Sequence, residues 1–537
     1  MREPCRMTLA TLRTMNHLTR FAPLYSCFVI LLAGCELVRL DPIGIGDSPG
    51  DTDEPRAGAG GTYGGGGART SGGGAGTSAG GSGGSGTASV CGNGVVENPE
   101  QCDDANDDSS DGCNACSIAD GWSCSGTPST CTKEPDAVSE LALGGYYSCA
   151  LSTTGNVRCW GRSNWGQLGY GNTDTIGDDE TPASAGNVDI GGKVQQISAA
   201  GSFTCALLET GDVRCWGYGD NGRLGYGNTN YIGDDETPAS AGNVDIGGKV
   251  QQISVGGFHA CALLRAGNVR CWGTAGYSAL GYGNSNDIGD DETPASAGDV
   301  DVGGTVKQIT TGHTHTCALL TAGTVRCWGS NVYGQLGYGN THVIGDDETP
   351  ASAGDVDVGG TVKQIAARSD HTCALLTAGT VRCWGGDAYG ELGYGRGTQY
   401  MIGDDETPAS AGDVDVGGAV KQIAVGVNTS CALLETGAVR CWGLGGEVVG
   451  GGAGNGQLGY GNTNNIGDDE TPASAGDVDV GGAVQQIASG SIHNCALLTT
   501  GTARCWGDNN FGALGYGNAN NIGDDETPAS AGDVSIF

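Results

Sequence analysis

The chain of 537 residues is short of positive charge: 25 Lys and Arg stand against 61 Asp and Glu, a formal net charge of −36. A polyanion of this size is repelled by nucleic acid and by anionic lipid, so nucleic acid is not an expected partner. Rings are scarce too, with aromatics at 6% and all charged residues at 16%, while Gly fills 103 positions. Such a composition belongs either to many tight turns or to tracts that do not fold, and both are present. The apolar run from Phe21 to Gly34 is too short to span a bilayer comfortably. It follows Arg2, Arg6, Arg13 and Arg20, which makes residues 1–34 an export signal rather than a membrane anchor.

The run ends in Leu32-Ala33-Gly34-Cys35. This resembles the lipobox of bacterial lipoproteins, which implies cleavage before Cys35 and a diacylglycerol on its thiol, placing the protein in the cell envelope; an ordinary secretory signal is the alternative. Either reading exports the chain, and in an oxidising compartment thiols pair. Of 23 cysteines, Cys5 and Cys27 fall in the signal and Cys35 at the lipid site, which leaves an even number for a disulfide framework. Residues 35–90, dominated by Gly, Ser, Ala and Thr, have almost no large apolar side chain to bury and read as a disordered tether spanning roughly 40 Å. Residues 91–132 pack Cys91, Cys102, Cys113, Cys116, Cys124 and Cys131 into a module that reads as three disulfides, with its connectivity open. Zinc is the lesser alternative, since no His lies near Cys113 and Cys116. The segment resembles the cysteine-rich repeat of secreted myxobacterial and related proteins, with Ala105 in place of the usual Gly. Asp103, Asp104, Asp107, Asp108 and Asp111 have oxygen chemistry suited to Ca²⁺ without EF-hand spacing; no cofactor is otherwise expected.

Residues 137–537 repeat. Trp160, Trp216, Trp272, Trp328, Trp384, Trp442 and Trp506 mark seven copies at intervals of 56, 56, 56, 56, 58 and 64. In one copy Val300 and Val302 alternate with Asp, Gly303-Gly304 suits a two-residue turn, and Val306 to Thr310 reads as a return strand. Cys317 to Leu320 and Val325 to Trp328 flank Thr321-Ala322-Gly323 as a second hairpin. Four strands per copy and no helical periodicity predict an all-β, seven-bladed propeller. The first copy lacks the DVDVGG strand and the chain ends in Asp533-Val534-Ser535-Ile536-Phe537, so the two ends are expected to complete one blade.

The remaining cysteines recur ten apart: Cys149 and Cys159, Cys205 and Cys215, Cys261 and Cys271, Cys317 and Cys327, Cys373 and Cys383, Cys431 and Cys441, Cys495 and Cys505. A hairpin centred between them sets each pair directly opposite, within disulfide reach, so seven intrablade disulfides are predicted. The neighbouring Trp points to the other strand face and is expected between blades.

The unit resembles the repeat of the regulator of chromosome condensation family, on His315-Thr316-Cys317-Ala318-Leu319-Leu320-Thr321 through Trp328-Gly329 to Gly334-Gln335-Leu336-Gly337. The resemblance implies a seven-bladed propeller, in a family that includes a nuclear guanine-nucleotide exchange factor and a secreted bacterial β-lactamase inhibitor. Here cysteine pairs replace the family's apolar or hydroxyl positions, and export and acidity do not match the exchange or chromatin roles.

Positions that differ between otherwise near-identical copies are free of the shared packing duty, and two stretches differ. One precedes the first Cys of each pair and carries Tyr146, Tyr147, Phe203, Phe258, His259, His313, His315, His371, Asn428 and His493. The other precedes the GQLG element and carries Trp165, Asn221, Tyr277, Tyr333, Tyr389, Asn455 and Phe511. Five of these last seven are aromatic, the class enriched in protein-binding hot spots, and the seven are the candidate ligand-binding ring at one mouth of the propeller. The scattered histidines read as structural, and the seven identical GDDE clusters as solvated loops, because catalysis requires one unequal pair of carboxylates. The leading function is binding of a protein, or a glycan, with the membrane reached through the lipid anchor. Nucleotide exchange follows from the family alone, and a hydrolase or lyase lacks a nucleophile with a matched base, so the chain is read as a non-enzyme.

Overall fold

The computed structural model describes residues 136–397, 400–446 and 455–537, with 95–96, 100–103, 105–106, 113–114, 117–118 and 122–133. The signal, Cys35, the tether, Cys91, Cys116, Asp104, Asp107, Asp108, Asp111 and residues 447–454 lie outside the described residues.

Each repeat copy folds into a three-stranded antiparallel sheet, seven in all, with a one-turn Pro-Ala-Ser-Ala helix after each. In the fourth blade the strands are Val306–Thr311, His315–Leu320 and Val325–Gly329. The first strands touch one another in succession right round the set, ending with Val484–Ser489 against Val138–Leu143, so they line the axis and the ring is closed. The fold is a seven-bladed β-propeller. The middle strands, such as His315–Leu320, are buried along their whole length, because both their faces meet other blades.

In the register of each blade the paired cysteines are direct partners. All seven predicted bonds are formed: Cys149 with Cys159, Cys205 with Cys215, Cys261 with Cys271, Cys317 with Cys327, Cys373 with Cys383, Cys431 with Cys441, and Cys495 with Cys505. Their Cα atoms lie 4.0–4.1 Å apart, the close approach of a non-hydrogen-bonded pair. The adjacent Trp points the other way and is fully buried in every copy. In six of the seven copies its indole N–H donates to a backbone carbonyl of the preceding blade, as Trp328 to Ala279 at 2.9 Å and Trp384 to Gln335 at 3.0 Å; Trp506 is the exception. Trp160 donates to Ala513 of the seventh blade at 2.9 Å, so the same bond closes the ring.

Two expectations are corrected. The DVDVGG segment is not the first half of an intrablade hairpin: Val300 bridges Val269 of the third blade, while Val306 opens the fourth, so Gly303 (φ +74°) and Gly304 link successive blades. A fourth full strand does not form because the outer edge is satisfied piecemeal. In the first blade Val188 donates to Val157, Cys159 N–H donates to the Tyr170 hydroxyl at 3.2 Å, and Gly161 exchanges bonds with Ile176. The Tyr170 hydroxyl donates on to Gly186 at 3.1 Å, and the Tyr of GYG repeats this in all seven blades. Nor do the chain ends share a blade: Val534 bridges Ala503 of its own seventh blade, and closure comes from packing, with Ser535 accepting from Ala183 of the first blade at 3.1 Å.

In the cysteine-rich segment, Cys102 is bonded to Cys113 and Cys124 to Cys131. Ala105 takes φ +66°, the left-handed region that explains why Gly is usual at that position. The Asp103 carboxylate accepts from the Ala105 amide at 3.0 Å and is buried, which gives it a turn-forming duty.

Candidate functional site

Both variable stretches come out at one end of the propeller, because the turn before each middle strand and the end of each outer strand are neighbours in an antiparallel sheet. A backbone bond ties them in every blade: Arg162 N–H to Tyr146, Tyr218 to Ser202, Thr274 to Phe258, Ser330 to Thr314, Gly386 to Asp370, Leu444 to Asn428 and Asp508 to Ile492. The opposite end is built of shared sequence, and its shallow clefts, such as the ones of about 350–450 Å³ beside Gly155–Val157 and Gly379–Val381, repeat from blade to blade.

Among the described residues the axis beneath the mouth is narrow. A cavity of only about 50 Å³ remains at the axis among residues of six blades, room for a water or two and far below a ligand site. Arg368, standing where five blades carry Gly144, Gly256, Gly312, Gly426 and Gly490, reaches across it to the carbonyls of Leu143 (2.9 Å) and Gly144 (3.3 Å) in the first blade and Ala199 (3.4 Å) in the second. Burial lowers its pKa to about 10, which leaves it charged at neutral pH.

The histidines are interblade struts. His259 Nε2 meets Thr316 Oγ1 at 2.7 Å, His315 meets Thr372 at 2.8 Å, His371 meets Ser430 Oγ at 3.0 Å, and His493 meets Ser148 at 2.8 Å across the closing seam. All four are buried, and burial pushes each down to about 3, so they are neutral. The GDDE groups bring three carboxylates within 4.8 Å of one another, as in Asp234, Asp235 and Glu236. Burial, then a hydrogen bond that the protonated acid donates to the neighbouring Asp, pushes Glu236 up to about 7, and Glu348, Glu406, Glu470 and Glu526 behave alike.

The seven candidate ring residues share this end but do not form one continuous circle. Trp165 packs edge-on against Tyr218 (5.1 Å between ring centroids) and Tyr231 (5.4 Å). Tyr277, 46% exposed, stacks on Phe258 at 5.6 Å, and Phe258 meets His313 at 4.6 Å. Phe511, 42% exposed, meets Tyr146 at 5.8 Å. Phe511 holds φ +65°, a conformation that bulky residues rarely adopt. Asn221 and Asn455 donate to Asp287 (3.1 Å) and Asp508 (2.6 Å). Tyr333 and Tyr389 are partly exposed, and their backbone amides are taken by Gln335 and Glu391. The rings in mutual contact therefore run over blades seven, one, two, three and four, where Arg162 and Arg223 join them.

The fifth blade is acidic instead. Asp387 and Glu391 stand where the fourth blade has Asn331 and Gln335, and both are buried. Burial, then the Glu391 charge, pushes Asp387 up to about 7; burial raises Glu391 and Asp370 as well. The copy-specific arginines and this carboxylate group were visible as departures from the repeat but were not singled out, because only tertiary neighbours turn a departure into a site.

Comparison with known proteins agrees with the architecture. The regulator of chromosome condensation repeat matches at residues 138–167, 194–223, 250–278, 306–335, 362–391, 420–447 and 484–513, one match per blade. The chain belongs to the regulator of chromosome condensation repeat family. Residues 87–117 match a family described only as a domain of unknown function. Among curated relatives of the repeat family, the ultraviolet-B receptor UVR8 of Arabidopsis thaliana is 32% identical over 328 residues, 61% of this chain and 68% of its own length. The E3 ubiquitin-protein ligase HERC2 of Homo sapiens is 30% identical over 380 residues, 70% of this chain but 7% of its own length. In solved structures, yeast RCC1 (Prp20) bound to Kap60 superposes with a TM-score of 0.54 at 19% identity, covering 73% of this chain and 84% of that one. Prp20p of Saccharomyces cerevisiae, described with its binding to Gsp1p and histones, gives 0.53 at 20% identity, covering 73% and 87%.

Proposed function

We propose that this chain is an exported, lipid-anchored scaffold whose propeller binds a protein partner across the variable end. One observation carries the reading: the copies share most of the blade core and differ chiefly where two stretches meet at one end, and there partly exposed rings gather. Rings of this kind, large and entropically cheap to fix, are what protein interfaces use as anchors. The propeller relatives crystallised with Kap60 or described with Gsp1p and histones point the same way. Seven equal GDDE groups offer no asymmetric pair, and the unequal carboxylates of the fifth blade, Asp387 and Glu391, are buried out of reach of a substrate, so binding is favoured over catalysis. The Leu32-Ala33-Gly34-Cys35 ending supports attachment of lipid at Cys35, and the tether would hold the head away from the membrane surface.

Crosslinking and pull-down from the envelope of the native cell test the face. Trp165→Ala with Tyr277→Ala is expected to lose the partner; full retention by that variant would refute it. Anchoring is read separately, from detergent partition and the mass of the N-terminal peptide, both of which Cys35→Ser should change.

A further inference from the structure

The variable end carries two arginines that the repeat does not share. The recurring arginines before Cys-Trp are committed: Arg270, Arg326, Arg382, Arg440 and Arg504 each hold an aspartate at 2.7–2.9 Å. Among the described residues Arg162 and Arg223 form no ion pair with a carboxylate; Arg162 Nε and Nη2 donate to the neutral Asn164 side-chain oxygen at 3.1 and 2.9 Å. Arg223 replaces the Gln of GQLG, which in two other blades (Gln167, Gln335) folds back on its own loop at 2.9 Å. Arg223 instead lies over the rings of Tyr218 (4.9 Å) and Phe258 (4.7 Å), with its Nε buried and unpartnered. Arg162 lies over Phe511 (5.2 Å) and Tyr146 (5.9 Å). The rings around each cation come from two adjoining blades, so blade packing fixes the guanidinium planes.

Ring stacking orients a guanidinium and strips part of its hydration without neutralising it, so a carboxylate can take its donors, at Arg162 by displacing the neutral Asn164 oxygen, a weaker acceptor. Asp220 and Asp287 lie near enough to act on Arg223 by charge, but neither takes its donors: Asp220 accepts from the Tyr218 hydroxyl, and Asp287 accepts from Asn221 and from the Ala275 amide (2.7 Å). On a chain of net charge −36 a cationic segment can settle almost anywhere, whereas an anionic one is accepted only where cations are left uncancelled.

We propose that this track is the docking surface for an acidic peptide segment of the partner protein, with its carboxylates on Arg162 and Arg223 and its apolar side chains against Phe258, Tyr277 and Phe511. The inference rests on the protein-binding reading of the variable end and adds the chemistry of the partner.

The test uses the full chain and three sets of fluorescein-labelled ten-residue peptides that share Phe and Leu and carry Glu and Asp, Gln and Asn, or Lys. Fluorescence polarisation is measured against the native chain and against Arg223→Gln with Arg162→Ser. These changes install residues that other blades already carry, Gln335 and Ser330, and a thermal melt confirms that the fold is kept. The expected result is that the acidic set binds at least about tenfold tighter than the neutral set and loses about tenfold in the double variant. Equal binding of the neutral or Lys set, acidic binding untouched by the double variant, or no binding of any set would overturn the inference. Neutral-set binding that falls in Trp165→Ala with Tyr277→Ala would sink the acidic preference while leaving the protein-binding reading intact.

Discussion

Single residues decide the chemistry of this propeller where they break the repeat. Gln196, Gln252, Gln308, Gln364 and Gln422 each clasp the backbone of an Ile in the next blade; Gln308, for example, donates to the Ile365 carbonyl at 2.8 Å and accepts from its amide at 3.2 Å. The first blade has Glu140 instead, accepting from the Ile197 amide at 3.4 Å. Burial pushes its carboxyl from an ordinary value near 4.5 to about 8, so at neutral pH it is a protonated acid, which can both donate and accept as Gln does. The unfolded chain ionises near 4.5 while the folded one holds its proton to about 8, so stability is lost as pH rises through that window. Glu140→Gln is expected to match the native chain near pH 4.5 and to melt higher at pH 9, with the gap growing by at most about 1.4 kcal/mol per pH unit between. Equal melting at pH 9 would show that Glu140 is not held neutral.

The element that matters is the pair of strands stapled at its centre. The cysteines close loops of ten residues in opposed register, a geometry worth up to about 3 kcal/mol per bond if strain is small. Cys317→Ser with Cys327→Ser should therefore lower stability by about 1–3 kcal/mol without unfolding the ring, measured by denaturant titration. Mass mapping without reduction should recover seven peptides linked ten residues apart; free thiols at these sites would contradict both the pairing and an oxidising compartment. The outer edge illustrates a different economy, in which a Tyr hydroxyl, a single Val bridge and an Ile bridge take the place of one full strand.

At the scale of the whole molecule, stability rests on seams between blades. Four buried histidines, each pushed from 6.5 to about 3, stay neutral in the fold, while the unfolded chain takes up protons below 6.5. Their contribution is fully present above pH 6.5 and is lost as pH falls toward 3. Melting temperature is expected to fall over that range with proton uptake on unfolding, and calorimetry in buffers of different ionisation heat would detect it. Arg368 spans blades that are distant in sequence. Arg368→Gly restores the residue of five other copies but removes three charge-assisted bonds across the axis, and should cost about 1–3 kcal/mol in a chemical melt. An unchanged melt would mean that the ring closes without this clasp.

The number of blades, the ten-residue disulfides and the inward Trp were all legible in the chain, because each is a local consequence of period, alternation and hairpin register. The fate of DVDVGG was not, since a two-residue Gly turn looks the same whether it joins strands of one blade or two blades in succession. Nor could the chain show whether Tyr333 and Phe511 would belong to one ring of equals. Symmetry places them alike, and only the neighbours supplied by adjoining blades, with Arg162 beside Phe511 and Asp370, Asp387 and Glu391 in the blade after Tyr333, divide the variable end into a cationic aromatic side and an acidic one. Repetition fixes the wheel through short-range geometry; the character of its face depends on contacts between residues 50 to 350 positions apart, which only closure of the ring brings together.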